Sequence, residues 1–206
     1  MASDTGVRPA RRRGRPSKGE LREERILDAT RRLVGERSMA DITIDEIAAA
    51  AGISRTSFYF YFPTKQAVLA ALMDQVWERL GQTHVWFGSG GPSPDELGEQ
   101  LRRVAGIWQE NSRVLACAMP SGFAGGYPPM EELMGRAKQR FVDGVAEKIR
   151  RDRTAGHAPE GIDAAVLARM VSVVRDHRLA EIVELPEAER ERALDDLAGV
   201  ILRMIY

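Results

Sequence analysis

Apolar residues return along this chain at helical spacing almost throughout. Ile26, Leu27, Thr30, Leu33 and Val34 fall at i, i+1, i+4, i+7 and i+8, one face of a first helix. Ser17 stands three residues before Glu20, a capping box near its start. Thr43 and Glu46 form a second such box and open a short helix over 44–50, with Ile47, Ala48 and Ala51 facing inward. Gly52 breaks that helix, and Ser54 is placed to cap the next. After Pro63 a long stripe of Val68, Leu69, Leu72, Met73, Val76, Trp77 and Leu80 predicts a helix reaching the neighbourhood of Phe87. Ser93-Pro94-Asp95-Glu96 carries a cap, a proline at the first position and acids against the helix dipole. That helix is expected to run to about Ala118. Further helices are expected over 129–153, 163–184 and 187–205. The fold class is all-α, with no run that competes as a strand.

One stretch resists a quick assignment. Residues 57–63, SFYFYFP, hold five aromatics in a chain with only six Phe, three Trp and four Tyr. Alternating Phe and Tyr reads at first as a half-buried strand. The segment TIDEIAAAAGISRTSFYFYFPTK, 43–65, instead has the proportions of a helix-turn-helix: a short helix of small residues, a glycine at the bend, and Ile53 in the angle. On a helix Phe58 and Phe62 share one face and join Ile47 and Ile53 in a small core. Arg55, Thr56 and Tyr59 lie on the opposite face. Tyrosine and threonine hydroxyls suit phosphate, and arginine can read guanine or clamp phosphate. Lys65 opens the next helix, where a cation reinforces an anion site. Phe60 and Tyr61 stay undecided between packing and contact.

The wording F-Y-x-Y-F-x-x-K behind T-x-x-x-I-A-x-x-A-G-I-S resembles the DNA-binding domain of the TetR family of regulators, most of all its EthR-like subgroup. The resemblance is tight over about 25–75 and persists beyond as helix pattern. It implies an N-terminal arm over 1–19, a helix-turn-helix domain over 20–66, and a helical ligand-binding and dimerisation domain over 67–206. It places DNA contacts at Thr43, Ser54, Arg55, Thr56, Ser57, Tyr59 and Lys65, and at Tyr61, where the family often has histidine. It implies a homodimer on a palindromic operator of double-stranded DNA, joined through the last two helices. Val166, Met170, Val173, Val174, Leu194, Leu197, Ile201 and Ile205 supply apolar surface there. It implies a pocket for a small apolar ligand, with Trp86, Phe87, Trp108, Met119, Phe123, Tyr127, Met130, Met134, Phe141 and Arg175 as its candidate lining. The Gly/Pro-rich segment 120–129 would serve as its mouth.

Composition sharpens the front of the chain. The net charge is +0, yet residues 8–18 carry six cations and no acid. Arg13-Gly14-Arg15-Pro16 resembles an AT-hook, two arginines flanking a glycine that can lie in a narrow A·T minor groove. Deleting residues 1–18 should flatten the salt dependence of DNA binding, and an unchanged slope would exclude a role for the arm. The three histidines are scattered, and no H-x-x-x-H, C-x-x-C or G-x-S-x-G is present, so neither catalysis nor a cofactor is expected. A single cysteine, no run of eighteen apolar residues and no secretory h-region make the cytoplasm the expected compartment, with no membrane partner.

Overall fold

In a computed structural model the described residues, 17–119 and 122–206, form helices joined by short turns, with no strand among them. Their order is α1 (Lys18–Glu36), α2 (Ile44–Ala50), α3 (Arg55–Tyr61), α4 (Lys65–Gly81), a 3-10 turn (Val85–Gly88), α5 (Pro94–Glu110), α6 (Ser112–Ala118), α7 (Pro128–Thr154), α8 (Ala164–Ile182) and α9 (Glu187–Ile205). Arg13 and Arg15 lie outside the described residues.

The capping signals of the first three helices act as their spacing requires. Ser17 accepts the Glu20 amide while Glu20 accepts that of Ser17. Thr43 and Glu46 make the same exchange at 3.2 and 2.7 Å, each satisfying a donor that the first turn leaves open. Ser54 accepts the Ser57 amide at 3.1 Å. Gly52, at φ +66°, turns the chain between α2 and α3 in a conformation that side chains disfavour.

Three elements depart from the expected limits. The fourth helix stops at Gly81 rather than near Phe87. Thr83 donates its hydroxyl to Leu80 O, and the following 3-10 turn sends Trp86 into the core. The Trp86 amide and indole N–H then find Gln100 Oε1 and Pro92 O. Phe87 lies on α7 where Gly144 has no side chain; a Cβ there would come within 2.5 Å of the ring. The helix expected through Ala118 is two helices. Asn111 gives its side-chain N–H to Ile107 O and leaves helical geometry, the competition with the backbone that asparagine commonly offers. Ser93 does not cap α5: its φ is 42°, and its hydroxyl donates to Gly90 O.

Two cores result. One gathers α1–α4 around Ile26, Ile47, Phe58, Phe62 and Leu69, and also takes in α6 and the first turns of α7 through Val114, Met130 and Leu133. The other lies among α5, α7, α8 and α9, where Leu101, Val145, Leu167 and Ile201 meet Trp86. Trp77 packs against both, so α4 is the mechanical link between them.

The larger core contains a buried charge. Lys148 is fully buried and donates to Ser89 O, Gly91 O and Asp152 Oδ2 at 3.0, 2.9 and 3.0 Å. Its ammonium also lies 4.8 Å from the Trp86 ring centroid. Asp152 accepts in addition from Gly91 N and from the hydroxyl of the C-terminal Tyr206. Burial pushes the Asp152 carboxyl up, but the bonds from Tyr206, Lys148 and Gly91 outweigh it and hold the group below its ordinary value.

Candidate nucleic-acid interface and ligand cavity

Packing sorts the rings of α3. Phe58 is fully buried and Phe62 nearly so, 6.2 Å apart between centroids, and they fasten the helix to the small core. Tyr59 is 45% exposed and Phe60 83%, the largest exposure among the big apolar side chains of the described residues. Tyr61 is half-buried, edge-on to Phe60 at 5.2 Å. Isolated exposed apolar residues are ordinary; what marks Phe60 is the extent of its exposure on a helix anchored by Phe58 and Phe62.

Around these rings the polar groups are ordered. Arg55 donates to Asp45 on α2 at 2.6 Å and to the Tyr59 hydroxyl at 3.3 Å, so the guanidinium is oriented before any partner arrives. The Ser54 and Ser57 hydroxyls are 2.9 Å apart, and Thr56 is exposed beside them. Arg22 of α1 shares a shallow groove with Thr56, Ser57, Phe60 and Tyr61. Neither Asp45 nor Arg22 stood out in the sequence, because their distance to α3 is set by how three helices pack.

Two candidate contacts are otherwise engaged. The Lys65 ammonium donates to Met39 O, Ala40 O and Ile42 O, at 2.9, 3.3 and 2.6 Å. All three of its protons therefore fasten the α1–α2 loop, a different use from the expected phosphate contact. The Thr43 hydroxyl donates to Glu46 Oε2 at 2.8 Å. Glu46 is held down to about pKa 2 by bonds from the Thr43 backbone, Arg37 and the Thr43 hydroxyl.

Behind the reading head a cavity of about 440 Å³ opens between α4, α5, α7 and α8. Of the expected lining, Trp108, Met134, Phe141 and Arg175 are on its wall. The others are not. Trp86 is core, and Phe87 packs beside the wall on His84 and Phe141. Phe123, Tyr127 and Met130 belong to the core of the reading head, and Met119 is 48% exposed. The segment around 123–127 is therefore no mouth for this cavity. The wall instead includes Trp77, Leu80, His84 and Val104. The regular stripe on α4 hid Trp77, since periodicity does not separate a core ring from a cavity ring.

The wall's polar groups are unusual. Arg175 is 8% exposed and stacks on Phe141, 3.2 Å from the ring centroid. Its Nε and Nη2 both donate to Asp176 Oδ1. Among the described residues the Trp77 indole N–H is buried without an acceptor, an omission that typically costs about 1–3 kcal/mol. Burial, then the positive fields of Arg175 and Arg140, lower His84 from 6.5 to about 4. His84 is thus neutral in the folded protein at pH 7, while the unfolded chain takes up its proton first on acidification. The His84 contribution to stability should be constant above pH 6.5 and be lost as the pH drops toward 4. His84→Gln should remove that component of a urea-melt pH profile; an unchanged profile would place the proton uptake elsewhere.

A helix-turn-helix with an oriented arginine, set on a helical body that encloses a cavity, defines a DNA-binding regulator with an effector domain. Comparison with known proteins agrees. The family model for bacterial regulatory proteins of the tetR family matches residues 26–72, and that for the C-terminal domain of the transcriptional regulator EthR matches residues 99–206. The HTH-type transcriptional regulator EthR of Mycobacterium tuberculosis is 31% identical over 209 residues, covering 100% of this chain and 96% of that protein. The chain belongs to the TetR family of transcriptional regulators. A TetR-family regulator from Mesorhizobium loti shares the fold at a TM-score of 0.71 and 16% identity, over 92% of this chain and 99% of that one. FadR of Bacillus subtilis, solved with stearoyl-CoA, does so at 0.64 and 15%, over 88% and 96%. Among the described residues no helix is long and apolar enough to cross a membrane.

Proposed function

We propose that this regulator is a repressor that binds a palindromic operator as a homodimer and leaves it when a small ligand fills the cavity beside α4. The observation that carries the DNA reading is α3 itself. Its buried Phe58 and Phe62 fix the helix, and its exposed face offers Arg55, Thr56, Tyr59 and Phe60 together. Arg55 and Phe60 read bases, while Ser54, Ser57, Tyr59 and Tyr61 hold phosphate, with Arg22 added from α1.

The dimer reading rests on α8 and α9. Leu194, Leu197, Ile201 and Ile205 are internal core and not available to a partner. Met170 at 48%, Val173 at 58% and Val200 at 44% remain exposed and would form the contact. Two-fold symmetry then sets the reading helices about 34–36 Å apart. The release reading rests on Trp77, which lines the cavity and packs on both cores. A ligand that displaces it tilts α4 and shifts the population toward a spacing that no longer fits one operator.

Selection of bound DNA from a random pool tests the proposal: a palindrome should be enriched, and no enrichment would refute it. Within that operator Phe60 is expected to touch a thymine methyl. Replacing thymine by uracil one position at a time should cost wild type about threefold to tenfold at one position per half-site. Phe60→Ala should be indifferent to that replacement; equal sensitivity in both proteins would rule the contact out.

A further inference from the structure

The cavity's wall is rich in donors and cations and poor in free acceptors. Arg175 spends Nε and Nη2 on Asp176, which leaves its Nη1 without a hydrogen bond among the described residues. Trp77 adds an indole N–H with no acceptor. Lys138 and Arg140 stand exposed at the rim, neither engaged in an ion pair among the described residues. Outside the Arg175–Asp176 pair, Glu78 is the single carboxylate of the wall. His84 adds one neutral imidazole, and the rest of the surface is largely apolar, with Leu80, Val104, Trp108, Met134 and Phe141 in it.

From this inventory we propose that the ligand is an anionic amphiphile, an alkyl or aryl carboxylate whose body lies against the Trp108–Phe141 wall and whose carboxylate meets Arg175, Arg140 and Lys138. This rests on the cavity being the effector site proposed above and goes further by fixing the ligand's charge. The field inside the cavity agrees, because Arg140 and Arg175 both disfavour a proton on His84. An anion is attracted by the field that repels that proton. A neutral apolar molecule would fill the volume but leave the Arg175 Nη1 without an acceptor, the kind of mismatch that makes polar sites discriminate strongly. An ammonium would add repulsion to that loss.

The probes are alkyl carboxylates from hexanoate to myristate, each beside the alcohol and amine of equal chain length, with decanoyl-CoA as a further arm. Titration of full-length protein by tryptophan fluorescence, together with release of bound DNA, gives the readout. The carboxylate of best length should bind at least about tenfold more tightly than its alcohol and release DNA, and the amine should bind least. Lys138→Ala with Arg140→Ala, both exposed positions, should cut carboxylate affinity about threefold to tenfold and leave the alcohol unchanged. Alcohol or amine binding as well as carboxylate would overturn the charge assignment and keep the cavity as the effector site. Binding of decanoyl-CoA alone would overturn it in favour of a thioester. Binding of no amphiphile of any charge would overturn the effector reading too, with DNA recognition still intact.

Discussion

Lys148→Ala is expected to lower the melting temperature by about 6–20 °C. Losing one partner of a buried ion pair costs about 3–5 kcal/mol, and a chain of this length loses about 2–4 °C per kcal/mol. The mechanism is specific. Without the ammonium, Ser89 O is left with Arg151 Nη2, Gly91 O with the Tyr206 hydroxyl, and the Asp152 carboxylate with Gly91 N and that same hydroxyl, so three acceptors each lose a charged donor. Adding Asp152→Asn to Lys148→Ala removes the uncompensated charge and should return part of the loss, so a double-mutant cycle of these two changes must show coupling. Asp152 also predicts an acid limb. Its folded value lies below the ordinary 3.8, so its contribution is complete above that value and fades as the pH falls through the folded one. A loss below about 1 kcal/mol in Lys148→Ala would mean that the network is dispensable. Because Tyr206 ties the end of α9 to the loop before α5, the same variant should also loosen the C-terminus in hydrogen exchange.

Arg55→Ala is expected to weaken operator binding by on the order of a hundredfold and to relax specificity at one base pair in each half-site. A bidentate arginine contact is worth about 1–3 kcal/mol of discrimination, and a dimer loses it twice. Asp45→Ala should give a smaller loss of affinity with the same relaxed position, since Asp45 orients the guanidinium without occupying the groove. The two variants separate reading from positioning in one binding assay. Uniform weakening on every sequence, with specificity kept, would instead assign Arg55 to phosphate.

Much of the reading head was legible because its signals are local. Thr43 and Glu46 are three residues apart, and Phe58 and Phe62 four, so helix geometry alone puts each pair in contact. The same arithmetic turned Tyr59 away from the core, and it is exposed there. Phe60 escaped it. Which side of α3 is left open depends on where α1 and α2 lie, and that is a packing outcome.

The cavity was legible only in part, for the same reason. Met119, Phe123, Tyr127 and Met130 are as apolar and aromatic as any pocket lining, yet the turn after α6 folds three of them onto the core of α1–α4 and leaves Met119 exposed. His84 enters the wall because α4 ends early at Gly81, a stop that the apolar stripe does not announce. Lys65 shows the converse. Its place at the start of α4 is plain from the sequence, but its acceptors are carbonyls about 25 residues upstream, brought to it by the fold.

The all-α class, the helix-turn-helix, the family resemblance and the inward faces of α2 and α3 can be read from the chain before it is folded. Those follow from periodicities and caps spanning a turn or two. Packing brings Arg55 to Asp45, buries Lys148 against the loop at Ser89 and Gly91, and sets Arg175 and Trp77 on one cavity. Each of those joins side chains from separate elements or segments, and their distances depend on how whole helices pack, which no local pattern encodes.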